Sequence, residues 1–136
     1  MNNNKLQVVG AVLIKNNKIL LPKRSANLKK MPNKYEFPGG KVEKGESLKE
    51  GLKRELKEEL NINVNVEDII DFPKNVLTTE KFDLTIFIIQ KWENELTINS
   101  EINSSIFEVT LDELNNVEDL LDTDKQLIPS IIAFLK

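Results

Sequence analysis

The chain of 136 residues contains no cysteine and no histidine. That removes thiolate nucleophiles, disulfides, zinc sites built on Cys and His, and any Ser-His-Asp relay. No apolar run approaches the length of a membrane span. The first residues, Met1-Asn2-Asn3-Asn4-Lys5, include no long apolar leader segment, so a cytoplasmic location without membrane partners is expected. A basic surplus is also missing. The net charge of −3 gives no general attraction for a nucleic-acid backbone, and no stable nucleic-acid partner is expected. No repeat or linker interrupts the chain, which is expected to form one domain over residues 1–136. With 40% apolar and 30% charged residues, the composition is that of a folded domain. The chemistry left to it must use carboxylates, lysine, arginine, hydroxyls, or a metal held through oxygen.

Charge is unevenly placed. Lys15, Lys18, Lys23, Arg24, Lys29, Lys30 and Lys34 occupy the first quarter with no acidic residue among them. Such a cluster either meets a polyphosphate or forms a solvated surface. Leu6 to Ile14 is apolar and valine-rich, and Asn16-Asn17 offers a turn before Ile19-Leu20-Leu21, which reads as a β-hairpin. Ser25 to Asn33 reads as a loop, and Tyr35-Glu36-Phe37 as a short strand stopped by Pro38-Gly39-Gly40. Asn63 to Phe72 alternates apolar and polar residues. Asp83 to Gln90 is β-branched and apolar, as a central strand would be, and Ile106 to Val109 is a further short strand. Leu111 to Asn115 reads as a helical turn, and Thr123 to Leu135 as a terminal helix broken or bent near Pro129. Strands in both halves around one strong helix, with another closing the chain, indicate an α+β fold with a mixed sheet.

The strong helix follows the glycines. Ser47 and Glu50 form a capping box, and Leu48, Leu52, Leu56 and Leu60 recur every four residues. Asn61 is placed to end the helix in the left-handed conformation. At about 100° per residue, Glu55, Glu58 and Glu59 fall within an arc of about 100°, beside the leucine stripe. The leucines anchor the helix and thereby aim the carboxylates. Three such groups repel one another unless cations neutralise them, and hard oxygen ligands favour Mg2+, with Mn2+ as the other option.

The run Gly40-x5-Glu46-x7-Arg54-Glu55-Leu56-x-Glu58-Glu59-x-Asn61-Ile62 resembles the signature of the Nudix family, Gly-x5-Glu-x7-Arg-Glu-U-x-Glu-Glu-x-Gly-U, where U is bulky and aliphatic. Only Asn61 departs, standing where the family has glycine. The likeness extends outward from this box (residues 40–62): Tyr35-Glu36-Phe37-Pro38-Gly39-Gly40-Lys41 resembles the entry string of the MutT-like branch. The resemblance implies the Nudix fold, a mixed β-sheet sandwiched between α-helices. It also implies substitution at phosphorus by water: a nucleoside triphosphate becomes a monophosphate plus diphosphate, with metal stabilising the developing charge. Which phosphorus is attacked stays open, since the family supplies both.

Carried over by position, Glu55 is the general base or the group orienting the water, and Glu58 and Glu59 are metal ligands with the Gly39 carbonyl. Arg54 pairs with an acid such as Glu46 to hold the loop. A further late-loop glutamate is expected in this branch. Glu101 fills that place only with a shift in the alignment, whereas an ungapped match places Ser105 there. The substrate side comprises Arg24, Glu36, Phe37, Gly39, Lys41 and Asp124. Asp124 stands where relatives that act on 8-oxo-dGTP use an asparagine on the purine edge, and it could equally cap the terminal helix. Ile86 stands where that group packs a strand aromatic on the base. Phe37 could equally be core. The expected partner is a small nucleotide, and the chain acts as monomer or homodimer. An oxidised purine such as 8-oxo-dGTP leads, a cytidine-type triphosphate is the alternative, and a non-catalytic Nudix-fold binding domain is the rival from another class.

Overall fold

The computed structural model describes residues 5–136; residues 1–4, read above as lacking an apolar leader, lie outside the described residues. Asn16 and Asn17 take φ of 53° and 64°, the paired left-handed conformation a two-residue hairpin turn requires. They join β1 (Leu6–Lys15) to β2 (Lys18–Arg24), with Lys15 opposite Lys18. β6 (Phe82–Ile89) runs parallel to β1 through eight consecutive pairs, from Leu6–Phe82 to Leu13–Ile89. β7 (Asn103–Val109) pairs antiparallel with β2. Two shorter strands, β4 (Ile69–Ile70) and β5 (Val76–Thr78), add to β6, and β3 (Gly39–Lys41) adds to β1. The result is a seven-stranded mixed sheet with the path β4-β6-β1-β2-β7.

Period-two alternation builds a core on each face of the sheet. Val9, Ala11 and Leu13 of β1, with Phe87 and Ile89 of β6, meet Leu52, Leu56 and Leu60 of α1 (Leu48–Leu60). Their alternates, Val12, Ile86 and Ile88, meet Leu127, Ile128 and Ile131 near α3 (Ile128–Leu135). The expected mixed sheet between helices is therefore present. Leu52, Leu56 and Leu60 are fully buried, and truncating any one to alanine costs about 2–5 kcal/mol. No helix among the described residues is long and apolar enough to cross a membrane.

Two local readings change, and two are made specific. Tyr35-Glu36-Phe37 is not a strand: only Tyr35 makes isolated bridges, to Lys23 and Leu120, and pairing resumes at Gly39. Pro38 has no N–H to give a ladder. A Cβ at Gly39 would lie 1.9 Å from the Val9 carbonyl oxygen, so only glycine lets β3 close on β1. The alternating stretch from Asn63 to Phe72 holds a 3-10 turn (Val66–Asp68) and the two-residue β4. β7 starts earlier than Ile106, at Asn103. The terminal helix is interrupted near Pro129, as expected, into α2 (Asp122–Lys125) and α3, with Pro129 in the first turn of α3, where its missing N–H costs nothing.

Candidate active site

The site starts from the ends of α1. Ser47 Oγ accepts the Glu50 N–H at 3.1 Å, and Glu50 Oε1 accepts the Ser47 N–H at 2.9 Å, completing the capping box. Asn61 closes the helix with φ 60° and ψ 26°, and its N–H donates to the Lys57 carbonyl. Asparagine thus does here what glycine does in the family pattern. With both ends fixed and the leucine stripe buried, the carboxylate face points back over Gly39-Gly40. The packing there is tight: a Cβ on Gly40 would sit 2.6 Å from the Glu55 carboxyl carbon.

Arg54 ties the preceding loop to the helix. Its Nε and Nη2 donate to Glu46 Oε2 and Oε1 at 2.8 and 2.9 Å, a two-pronged pair. Nη2 also reaches the Lys41 carbonyl at 3.0 Å, and Nη1 reaches Glu55 Oε1 at 3.0 Å and Glu58 Oε2 at 3.5 Å. Glu46 Oε1 accepts the Glu43 N–H in addition. Gly45, with φ 89°, turns the loop so that Glu46 faces the guanidinium. Hydrogen bonding to Arg54 holds Glu46 below the usual carboxylate range, and the bond to Glu46 raises Arg54 above its ordinary value. The expected Arg54–Glu46 pairing is present.

The three helix acids occupy different environments. Glu58 is exposed at the rim. Glu55 is partly buried, and desolvation raises its pKa against the pull of Arg54. Glu59 is 8% exposed, and burial, reinforced by Glu36 and Glu55, pushes it up to about 9. Its Oε2 is buried without a hydrogen-bond partner. Among the described residues, no three acids already converge into a cage for a cation. A buried, unpartnered carboxylate oxygen beside a second carboxylate nevertheless suits a hard cation, which removes both penalties at once. Glu55, Glu58, Glu59 and the Gly39 carbonyl are the oxygens that could hold one. Glu101 lies exposed on the loop before β7, its N–H bonded to Asn99 Oδ1, and it is not among the charges that perturb Glu55 or Glu59.

A cleft of about 280 Å³ opens beside Gly39, Gly40 and Lys41. Val8, Phe82 and Leu84 are apolar parts of its lining, and Arg24, Glu36 and Asp124 are polar ones. Phe37 both lines the cleft and belongs to the core. Phe82 and Leu84, rather than the fully buried Ile86, are the strand residues facing the cleft. Arg24 is committed to the protein: it donates to the Lys30 and Met31 carbonyls at 3.0 Å and to Glu36 Oε1 at 3.1 Å. Glu36 is buried, and desolvation raises its pKa against Arg24 and Asn103.

Asp124 corrects one expectation. It does not cap a helix, because α2 begins two residues earlier and Leu121 and Leu127 occupy the cap positions. Instead its Oδ2 accepts the Phe37 N–H at 2.9 Å, from a position 4% exposed. Burial pushes its pKa up to about 7, and the charge on Glu36 adds to the rise. A group poised there can carry the donor proton an asparagine would otherwise supply. One participant escaped the sequence reading: Asn103, fully buried, donates to Glu36 Oε2 at 3.2 Å. Nothing in the run Ser100-Glu101-Ile102-Asn103 marks it out, since its burial depends on distant strands.

Known proteins can be set against this geometry. The NUDIX domain family matches residues 5–131. The 8-oxo-dGTP diphosphatase of Escherichia coli (strain K12) is 35% identical over 92 residues, covering 67% of this chain and 70% of the relative. The 8-oxo-dGTP diphosphatase of Proteus vulgaris is 33% identical over 98 residues, covering 71% of this chain and 87% of the relative. Among solved structures, the E. coli ORF135 protein superposes with a TM-score of 0.80 at 24% identity, covering 99% of this chain and 94% of that one. That last likeness speaks for the fold.

Proposed function

The chain belongs to the NUDIX family, hydrolases of phosphorus-containing anhydrides, and from that premise we propose a Mg2+-dependent nucleoside triphosphate pyrophosphohydrolase. Water and a nucleoside triphosphate give the monophosphate and diphosphate, with 8-oxo-dGTP as the leading substrate. The observation behind this reading is the fixed juxtaposition of α1's carboxylates, packed on Gly39-Gly40, with a cleft that has Asp124 in its lining. The two curated relatives named for 8-oxo-dGTP support the choice of base.

Nudix hydrolases generally work with divalent metal ions. When bound, such ions neutralise the phosphate chain and stabilise charge developing on it. Glu58, Glu59, Glu55 and the Gly39 carbonyl would hold them, with Glu101, on the loop before β7, as a further candidate. Glu55 is held by Arg54 and raised by burial, which suits a base that orients the attacking water and takes its proton. Arg54 positions the loop, and Lys41 at the end of β3 meets phosphate oxygens. Glu36, Phe37 and Asp124 receive the base, with Arg24 bracing Glu36.

A second reading is a cytidine-type triphosphate. Glu36 and Asp124 can accept from its exocyclic amine as they can from a guanine's, so assay of the base decides between the two. Diphosphate release from 8-oxo-dGTP, dGTP, dCTP and 5-methyl-dCTP, with and without Mg2+, separates the two. Metal-dependent turnover preferring 8-oxo-dGTP is expected. A preference for dCTP or its methylated form would replace the first reading with the second. Silence across the panel would sink both and turn attention to a binding domain.

A further inference from the structure

Behind the cleft lies a buried amide that the reaction above does not use. Asn103 opens β7 and is fully shielded from solvent, although Ser104 and Ser105 beside it are exposed. The β2–β7 ladder shifts register there. Lys23 pairs with Ser105 and Arg24 with Asn103, leaving Ser104 as the extra residue of a bulge. A bulge re-aims a side chain near it, and here Asn103 Nδ2 lies 3.2 Å from Glu36 Oε2 and 3.3 Å from the Lys23 carbonyl. The other Glu36 oxygen takes Arg24 Nη1 at 3.1 Å. Each oxygen of Glu36 is thus engaged by a different donor, which fixes the carboxylate at the wall of the cleft.

Asn103 Oδ1 meanwhile is buried without a partner. An unpaired buried acceptor is a standing cost, so packing alone would be better served by an apolar side chain. What the amide contributes is its donor. We infer that Asn103 is a positioning residue for nucleotide selection: by donating to Glu36 it sets how that carboxylate faces the base, and so which base is accepted. The inference rests on the proposed nucleotide hydrolase reading. It assigns no contact between Asn103 and substrate. It predicts an effect on binding of the base rather than on the chemical step.

The test compares wild type, Asn103→Ala and the isosteric Asn103→Asp, each checked for folding by circular dichroism and thermal melting. For each, kcat and KM are measured on the best nucleotide of the panel and on one bearing a different base. Losing a hydrogen bond to a charged group is expected to raise KM for the best nucleotide about tenfold, with kcat within about threefold. The ratio of kcat/KM between the two nucleotides should fall by about the same factor. If the alanine variant fails to fold, the aspartate variant decides by the same ratio. A Glu36→Leu substitution in both backgrounds closes the cycle: with no acceptor left at position 36, Asn103 should add nothing. Equal losses on both nucleotides, an unchanged ratio, or additive effects with Glu36→Leu would overturn the inference. A wild type silent on every triphosphate would instead remove the functional reading, and this inference with it.

Discussion

Replacing Asp124 with asparagine changes the chemistry of the cleft while preserving its shape. The side chain is 4% exposed and accepts the Phe37 N–H at 2.9 Å, a bond that an amide oxygen can keep. Burial has lifted its pKa from an aspartate's usual 3.8 to about 7. The sign follows from the linkage: the folded state binds the proton more tightly than the unfolded chain does. Stability from this group is therefore complete below about pH 3.8 and is lost as pH rises through about 7. At about 1.4 kcal/mol per tenfold change in proton affinity, the full loss is on the order of 4 kcal/mol, more than half of it between about pH 5 and pH 8. Asparagine has no proton to lose. Urea unfolding of the metal-free proteins at those two pH values should show Asp124→Asn gaining on wild type by roughly 2–3 kcal/mol at the higher one. A stability difference constant to within about 0.5 kcal/mol would refute the claim that Asp124 ionises at a buried site. The same pair of proteins should also differ in nucleotide ranking. The ranking by wild type should change as Asp124 loses its donor proton near pH 7, and that by the variant should not.

Three further outcomes are expected. Glu59→Gln keeps the volume of a side chain whose own pKa is pushed up to about 9, so melting should be little changed without metal. Turnover should fall by more than about 100-fold, beyond what loss of a supporting residue costs, and Mg2+ should no longer raise the melting temperature. Near-wild-type turnover would remove Glu59 from the metal site. Gly40→Ala places a Cβ 2.6 Å from the Glu55 carboxyl. Because the flexible end of Glu55 can give way, the fold should survive while kcat drops by about tenfold or more; unchanged kcat would mean that the position of Glu55 is not critical. Asn61→Gly relieves a left-handed residue at φ 60° and should stabilise by up to about 1 kcal/mol in denaturant titration without altering kcat. Destabilisation would show that the Lys57–Asn61 side-chain bond, at 3.1 Å, outweighs the backbone preference.

How much of this was legible in the chain depends on the range of the interactions. The α1 helix, its capping box, its asparagine stop and its inward leucine stripe were all readable, because each arises from neighbours within about one or two helical turns. The Asn16-Asn17 hairpin and the core strand β6 were readable for the same reason. Tyr35 to Phe37 misled because β-propensity rates side chains, whereas the pairing that formed at Gly39 depends on having no side chain in the way.

By itself, then, the sequence determined the carboxylate helix, the glycine turn before it and a chemistry without thiol or imidazole. The tertiary structure decided what the cleft beside that helix is made of. Glu36 meets Asn103 across 67 residues of chain, and Phe37 meets Asp124 across 87. No local pattern encodes such contacts. Sheet register, a bulge at Ser104 and the break between α2 and α3 bring them together, and burial then turns an ordinary aspartate into a group that titrates near 7.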